Sequence, residues 1–351
     1  MTDRTQPGSL CIRVDANAQI GVGHLMRCLA LAQAWQYRGG SVCFTSVMQI
    51  PALLDRLRHD NVEQVSITAT PGSHEDLHQT LSAARERGTG RVVLDGYHFT
   101  REYALGVQEA GLHLLMLDDV ADRDLSGVEA VLNQNAYATK AMYQTFIPCP
   151  TLLLGAPYTL IRREFLQQRV KQICAEARRV LVTMGGADVT NATLSVMRAL
   201  RQITAMRLEV RLIIGPVNTH LDLLRAELPA LRERHEAEFL FNPSLMPELM
   251  AWSDVAITAA GSSCWELCCL GVPQLILLTA YNQRLMPAYF IEHGVGEVFG
   301  ALDDSRTGEL AQRLVALLQD TGRRTRLSQK AQRVIDGGGA ARVVDFMLSR
   351  P

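Results

Sequence analysis

His24 and Arg27 stand one helical turn apart, just after Gly21 and Gly23 in the stretch Asp15-Ala-Asn-Ala-Gln-Ile-Gly21-Val-Gly23-His24-Leu-Met-Arg27. An apolar run, Leu10 to Val14, precedes them and reads as a short buried strand. Leu25, Cys28, Leu29, Ala32 and Trp35 follow at helical spacing. Gly21 and Gly23 then occupy the strand-to-helix turn, where backbone bends tightly or approaches a ligand closely. A histidine in the first turn of a helix sits near the positive end of its dipole, which disfavours the imidazolium. A neutral ring accepts protons, so His24 is the candidate general base, with Arg27 on the same helix face. Asp15 is placed either to orient His24 or to pair with Arg27. The pattern is not a dinucleotide fingerprint, because Met26 stands where the third small residue of G-x-G-x-x-G belongs. A histidine at a helix start also has a purely structural use, satisfying a nearby backbone group.

Two further strand-turn-helix stretches carry chemistry. In Val182-Thr-Met-Gly185-Gly186-Ala-Asp188 the paired glycines expose N–H groups that can approach phosphate oxygens. In Thr258-Ala-Ala-Gly261-Ser262-Ser263-Cys-Trp-Glu266, hydroxyls and free N–H groups suit a diphosphate, and Glu266 suits ribose hydroxyls. Ser263-x-x-Glu266 is equally a capping box. Asn282-Gln283 follow another strand and either hold phosphate or sugar or cap the next helix. Asp95, Tyr97, Asp118, Asp119, Asn133 and Asn135 follow strand ends in the first half, where they line a site or cap turns.

The elements that must position these residues alternate along the chain. Strands are expected at Leu10–Val14, Ser41–Thr45, Gln64–Ile67, Arg91–Leu94, His113–Leu117, Ala130–Leu132 and Thr151–Leu154. A second series is expected at Val180–Met184, Glu209–Ile214, Glu238–Phe241, Val255–Thr258, Gln274–Leu278 and Gly296–Phe299. Helical patterns fill the gaps, so the fold class is α/β: two doubly wound Rossmann-like domains with parallel sheets and a cleft between them. Residues 1–157 form the expected N-terminal domain and 158–351 the C-terminal one. A charged helix from Arg162 to Ala177 marks the joint, and a final helix after the Gly337-Gly-Gly run packs across it.

A formal net charge of −1 argues against a nucleic-acid partner. The longest apolar runs stop well short of membrane-spanning length, and the polar stretch Met1 to Ser9 lacks a signal core, which points to the cytoplasm. The eight cysteines mostly fall within apolar elements and have no zinc-ligand spacing, so reduced buried thiols are expected and no metal site.

Taken together, these stretches resemble the UDP-2,4-diacetamido-2,4,6-trideoxy-β-L-altropyranose hydrolases of pseudaminic acid biosynthesis, relatives of the MurG-type glycosyltransferases with the two-domain GT-B fold. The resemblance runs through Arg13-Val-Asp15, Ile20-Gly-Val-Gly-His24-Leu-Met-Arg27-Cys28, Leu94-Asp95-Gly-Tyr97, Leu117-Asp-Asp119 and Asn133-Gln-Asn135. It continues through Leu154-Gly155-x-x-Tyr158, Gly185-Gly186-x-Asp188, Gly261-Ser-Ser-x-x-Glu266, Gly271-Val-Pro273 and Asn282-Gln283. It implies a metal- and cofactor-independent reaction in which water displaces UDP from the anomeric carbon with inversion. The partners are then a UDP-activated diacetamido sugar and water, in a pathway serving flagellin or surface-glycan glycosylation.

The resemblance places the sugar on the N-terminal domain and UDP on the C-terminal one. It maps the base onto His24, the uridine-side glutamate onto Glu266, diphosphate contacts onto Ser262 and Ser263, and sugar or water positioning onto Asp95 and Tyr97. Gly21, Gly23, Arg27, Asp119, Asn133, Tyr158, Gly185, Gly186, Asp188, Gly261, Asn282 and Gln283 complete the expected substrate contacts. A glycosyltransferase on the same fold, a hydrolase of an isomeric legionaminic-type UDP-sugar and a non-catalytic nucleotide-sugar binder are the competing readings. The oligomeric state stays open, a monomer included.

Overall fold

The computed structural model describes residues 7–350, apart from residue 169 and the side chain of Asn282. Within them the chain forms two compact units, each built on one parallel sheet. The first unit takes in the described residues up to Ala16, His24–Arg163 and those from Gly337 onward. The second takes in Asn17–Gly23 and Glu164–Asp336. The division therefore falls at 163/164, a few residues beyond the 157/158 expected from the proline-rich stretch. No helix among the described residues is long and apolar enough to cross a membrane.

In the first unit, β1 (Ser9–Val14), β2 (Ser41–Ser46), β3 (Glu63–Ser66), β4 (Arg91–Asp95), β5 (His113–Leu117), β6 (Ala130–Asn133) and β7 (Thr151–Leu154) lie in the order β3-β2-β1-β4-β5-β6-β7. Each expected strand is present. A parallel sheet is covered on both faces, so its strands are near-continuous apolar runs; Leu10, Cys11, Ile12 and Val14 of β1 are fully buried. Arg13 interrupts that run and is also fully buried, which demands partners. It donates to both carboxylate oxygens of Asp76, at 2.8 and 3.0 Å, and lies 2.7 Å from Asp15. The strand order reverses beside β1, between β2 and β4, which opens a crevice past the carboxyl ends of those strands.

The helix Gly339–Leu348 belongs to this first unit. It buries Val343, Val344 and Met347, and Gly339 lets its first turn approach the Tyr158–Thr159 backbone so closely that any side chain there would collide. Arg342 donates to the Pro157 carbonyl at 2.8 Å, and Arg350 reaches Glu129 and Thr151 at 3.0 and 2.7 Å.

The second sheet comprises β8 (Arg179–Thr183), β9 (Glu209–Ile214), β10 (Glu236–Phe241), β11 (Val255–Ala259), β12 (Gln274–Leu277) and β13 (Glu297–Gly300), in the order β10-β9-β8-β11-β12-β13. Val180, Val182, Leu212, Ile257 and Leu275 meet Val196, Leu224 and Leu314 from the covering helices in its core. The charged helix expected from Arg162 to Ala177 is a single short turn, Arg163–Gln167. Past it the sequence has no apolar stripe to bury, and Lys171 instead gives its N–H to Leu270 at 2.8 Å and its ammonium to Asp254 at 3.1 Å. Among the cysteines, Cys149 and Cys174 are exposed and Cys269 is half-buried, in contrast to the buried thiols expected; the other five are buried, and all eight are free.

Candidate active site

The carboxyl ends of β1, β4, β5 and β6 bring together the first unit's polar residues. The helix Gly23–Tyr37 starts immediately after the β1 turn, where Gly21 adopts a φ of +74° that a side chain would strain. His24 and Arg27 lie on one side of that helix, both over nine-tenths buried. They share Asp95, the last residue of β4. His24 Nδ1 is 2.6 Å from Asp95 Oδ1, while Arg27 donates Nη2 to the same oxygen and Nε to Oδ2, each at 2.6 Å.

Arg27 Nη2 also lies 3.0 Å from His24 Nδ1. A guanidinium only donates, and a carboxylate only accepts, so the proton on Nδ1 belongs to the Asp95 bond and the two donors merely crowd one oxygen. This fixes the neutral ring as the Nδ1–H tautomer and leaves the Nε2 lone pair as its acceptor.

Arg27 extends the group to Asp119, with Nη1 on Oδ1 at 2.7 Å and Nη2 on Oδ2 at 3.2 Å. Tyr97 donates its hydroxyl to Asp119 Oδ2 at 2.9 Å, and its ring packs edge-on to His24 with centroids 5.0 Å apart. Asn135 donates to Asp119 Oδ1 at 2.8 Å, Asn133 and Tyr137 donate to the Asp119 carbonyl, and Cys28 gives its thiol to Asp95 Oδ2 at 3.3 Å. Burial raises the Asp95 and Asp119 carboxyls, but Arg27, then His24, more than reverses this. Asp95 is held well below the usual carboxylate range and Asp119 at about 2. Burial also pushes the Cys28 thiol up, so it donates as a neutral group.

Two carboxylates against one guanidinium leave this buried group with one excess negative charge. A proton arriving at His24 Nε2 would neutralise it.

Several expected contacts fall elsewhere. Asp15 pairs with neither His24 nor Arg27: its Oδ1 accepts from Arg13, Ser46 Oγ and the Val47 N–H. Asp95, at the end of β4, takes the place expected for Asp15 beside His24. Asn133 is fully buried and braces Asp119, Tyr143 and Asn135. Tyr158 sits in the turn Ala156–Tyr158 against the last helix, with no hydrogen bond to the His24 group.

The second unit offers two helix starts of different character. At Ala192–Arg201, Asp188 accepts from the Ala192 and Thr193 N–H groups at 2.8 and 3.0 Å, so its carboxylate already occupies the dipole end where phosphate was expected. Gly185 is there for its φ of +81°, a Cβ on Gly215 would collide with the Gly186 backbone, and one on Gly186 would collide with the Val22 side chain. At Ser262–Leu270 the cap position is Gly261, which brings no side chain. Ser263 is therefore inside the helix and not at its cap, no side chain caps the first turn, and the Cys264 N–H donates to the Gly261 carbonyl at 3.0 Å. Glu266 is buried in the same helix. Gln283 turns back on its own chain, its Oε1 accepting from the Thr279 N–H at 2.8 Å. The side chain of Asn282 lies outside the described residues.

Cys28 and Tyr137 join the site without having been singled out as contacts, and Asn135, expected only as a strand-end residue, joins it through Asp119. Cys28 had one signal, its place one turn after His24. The alternation Asn133, Asn135, Tyr137 after β6 was the other.

No model of a known protein family matches the chain. It is similar to the UDP-2,4-diacetamido-2,4,6-trideoxy-β-L-altropyranose hydrolase of Campylobacter jejuni, with 26% identity over 186 residues. The matched stretch covers 52% of this chain and 62% of that one, less than two thirds of the relative. Similarity to the spore coat polysaccharide biosynthesis protein SpsG of Bacillus subtilis is 21% over 343 residues and covers 96% of both chains. Among solved structures, MurG of Acinetobacter baumannii superposes with a TM-score of 0.63 at 14% identity, covering 98% of this chain and all of that one. The fold is the GT-B fold.

Proposed function

We propose that this protein is a nucleotide-sugar hydrolase that releases UDP from a UDP-linked 2,4-diacetamido-2,4,6-trideoxy sugar, of β-L-altro configuration. The observation that carries the reading is the His24–Asp95 pair, tied through Arg27 to Asp119. Water is the nucleophile. Its oxygen bonds to the anomeric carbon as the bond from that carbon to the diphosphate oxygen breaks, and UDP leaves with the electron pair. His24 Nε2 takes the proton of water. Asp95 holds the ring and offsets the charge of the imidazolium.

Tyr97, fixed by Asp119, positions the water or the sugar beside His24. The second unit takes the nucleotide: the open helix start at Gly261–Ser263 meets the developing charge on the diphosphate, and Glu266 takes the ribose hydroxyls. The similarity to the Campylobacter hydrolase supports the choice of sugar and of water; a place in pseudaminic acid biosynthesis, in the cytoplasm, is part of the same proposal. Attack from the face opposite the leaving group inverts the anomeric centre.

The likeness to MurG favours a second reading, transfer of the sugar to an alcohol. UDP release separates the two. With the diacetamido UDP-sugar, EDTA and no acceptor, the wild-type protein should turn over many times and its His24→Ala variant should be nearly silent while still folded. Turnover only on adding an acceptor would establish the transferase. No release from this sugar, with release from an isomer, would move the substrate to that isomer.

A further inference from the structure

Two buried polar atoms beside the site lack any hydrogen-bond partner, and they face each other: Asp15 Oδ2 and His98 Nε2, 3.5 Å apart. Asp15 Oδ1 has three donors, so only Oδ2 is unused. His98 is held in this attitude from several sides. A side chain at Gly96 would collide with its ring, one at Gly72 would collide with its carbonyl, and the Phe99 ring lies 4.1 Å away between centroids. Burial, then Arg13, lowers the proton affinity of His98, so near neutral pH the ring has one N–H to give.

The chain positions matter most. Asp15 begins the turn that runs from β1 to His24, and His98 directly follows Asp95-Gly96-Tyr97. The pair thus sets the segment leading to His24 against the segment bearing Tyr97 through side chains off the catalytic group. A separation of 3.5 Å is too long for a sound hydrogen bond, and such bonds in unliganded sites tighten when substrate is bound.

We propose that His98 is a positioning residue: its Nε2–H closes onto Asp15 Oδ2 when substrate binds, fixing the Asp95–Tyr97 segment against the segment that carries His24. The inference rests on the hydrolase reading for its kinetic arm. Its spectroscopic arm does not.

His98→Phe keeps an aromatic ring and removes the donor, whereas His98→Gln returns an N–H near the Nε2 position. The expected result is a kcat about tenfold lower in the phenylalanine variant, with KM and Tm held, and most of the loss recovered in the glutamine variant. A phenylalanine variant with wild-type kcat would overturn the proposal. So would equal losses of kcat and Tm in both variants, which mark a packing role. Independently of any turnover, ¹⁵N spectra of labelled histidine should show His98 as the Nε2–H tautomer at neutral pH, altered by Asp15→Asn. A proton on Nδ1 would overturn the inference even in an active enzyme. Wild-type UDP release in the same assays decides the hydrolase reading separately.

Discussion

Replacing Asp95 by asparagine is the sharpest perturbation of the His24 group. The imidazolium formed during attack would lose its nearest counter-charge, leaving Arg27 and Asp119 as a balanced pair. With charge centres ~4 Å apart and an effective dielectric constant of about 20, that counter-charge contributes about 4 kcal/mol, or about a thousandfold in rate. The amide has a second effect. Its NH₂ must face donors whichever way it turns: Arg27 Nε and the Cys28 thiol at one position, Arg27 Nη2 and His24 at the other. In the second orientation the ring is forced to hold its proton on Nε2 and stops being a base, which takes the loss toward about ten-thousandfold. Asp119 still pairs with Arg27, so the stability loss falls near the lower end for a broken buried pair, about 3 kcal/mol. Single-turnover UDP release and urea unfolding measure the two effects. Because both residues act as one unit, His24→Ala with Asp95→Asn should be no slower than His24→Ala alone. A folded asparagine variant within about tenfold of wild type would refute the assignment of Asp95 and the tautomer argument with it.

The Asp119 carboxyl, at about 2 in the folded protein against an ordinary 3.8, contributes about 2 kcal/mol of stability. That contribution is complete above the ordinary value and disappears as pH falls through the folded one. Asp119→Asn should therefore be less stable at neutral pH and show a flatter stability curve between about pH 4 and pH 2; an unchanged acid slope would contradict this. At the second unit's first glycine turn, Asp188→Ala removes a cap and should lower stability by about 1 kcal/mol with little change in KM for the UDP-sugar. A large rise in KM without loss of stability would return Asp188 to substrate binding.

The strands were legible because parallel strands are covered on both faces and write themselves as short apolar runs between turns. Thirteen such segments stand where their sequence placed them. His24 and Arg27 were legible from one local stretch. The partner of that pair was not, because it depends on which strand lies beside β1: Asp15 is close in sequence, but Asp95 is delivered by β4 from 71 residues away. The two glycine turns of the second half look alike on paper. They differ by whether a carboxylate folds back onto the helix start, as Asp188 does, or the cap residue is a bare glycine, as Gly261 is. The missing joint helix was the opposite error, charge taken for helicity where no apolar stripe existed to hold it.

The return of the helix Gly339–Leu348 to the first unit orders the events of synthesis. A ribosome releases β1 to β7 early, yet the apolar strip destined for Val343, Val344 and Met347 stays uncovered until the whole second unit has been made. At about 5–20 residues per second, the intervening stretch of Glu164–Asp336 holds that strip open for about ten seconds or more. The unit begun first is finished last, and nascent chains stalled short of Gly339 should be the ones that chaperones hold.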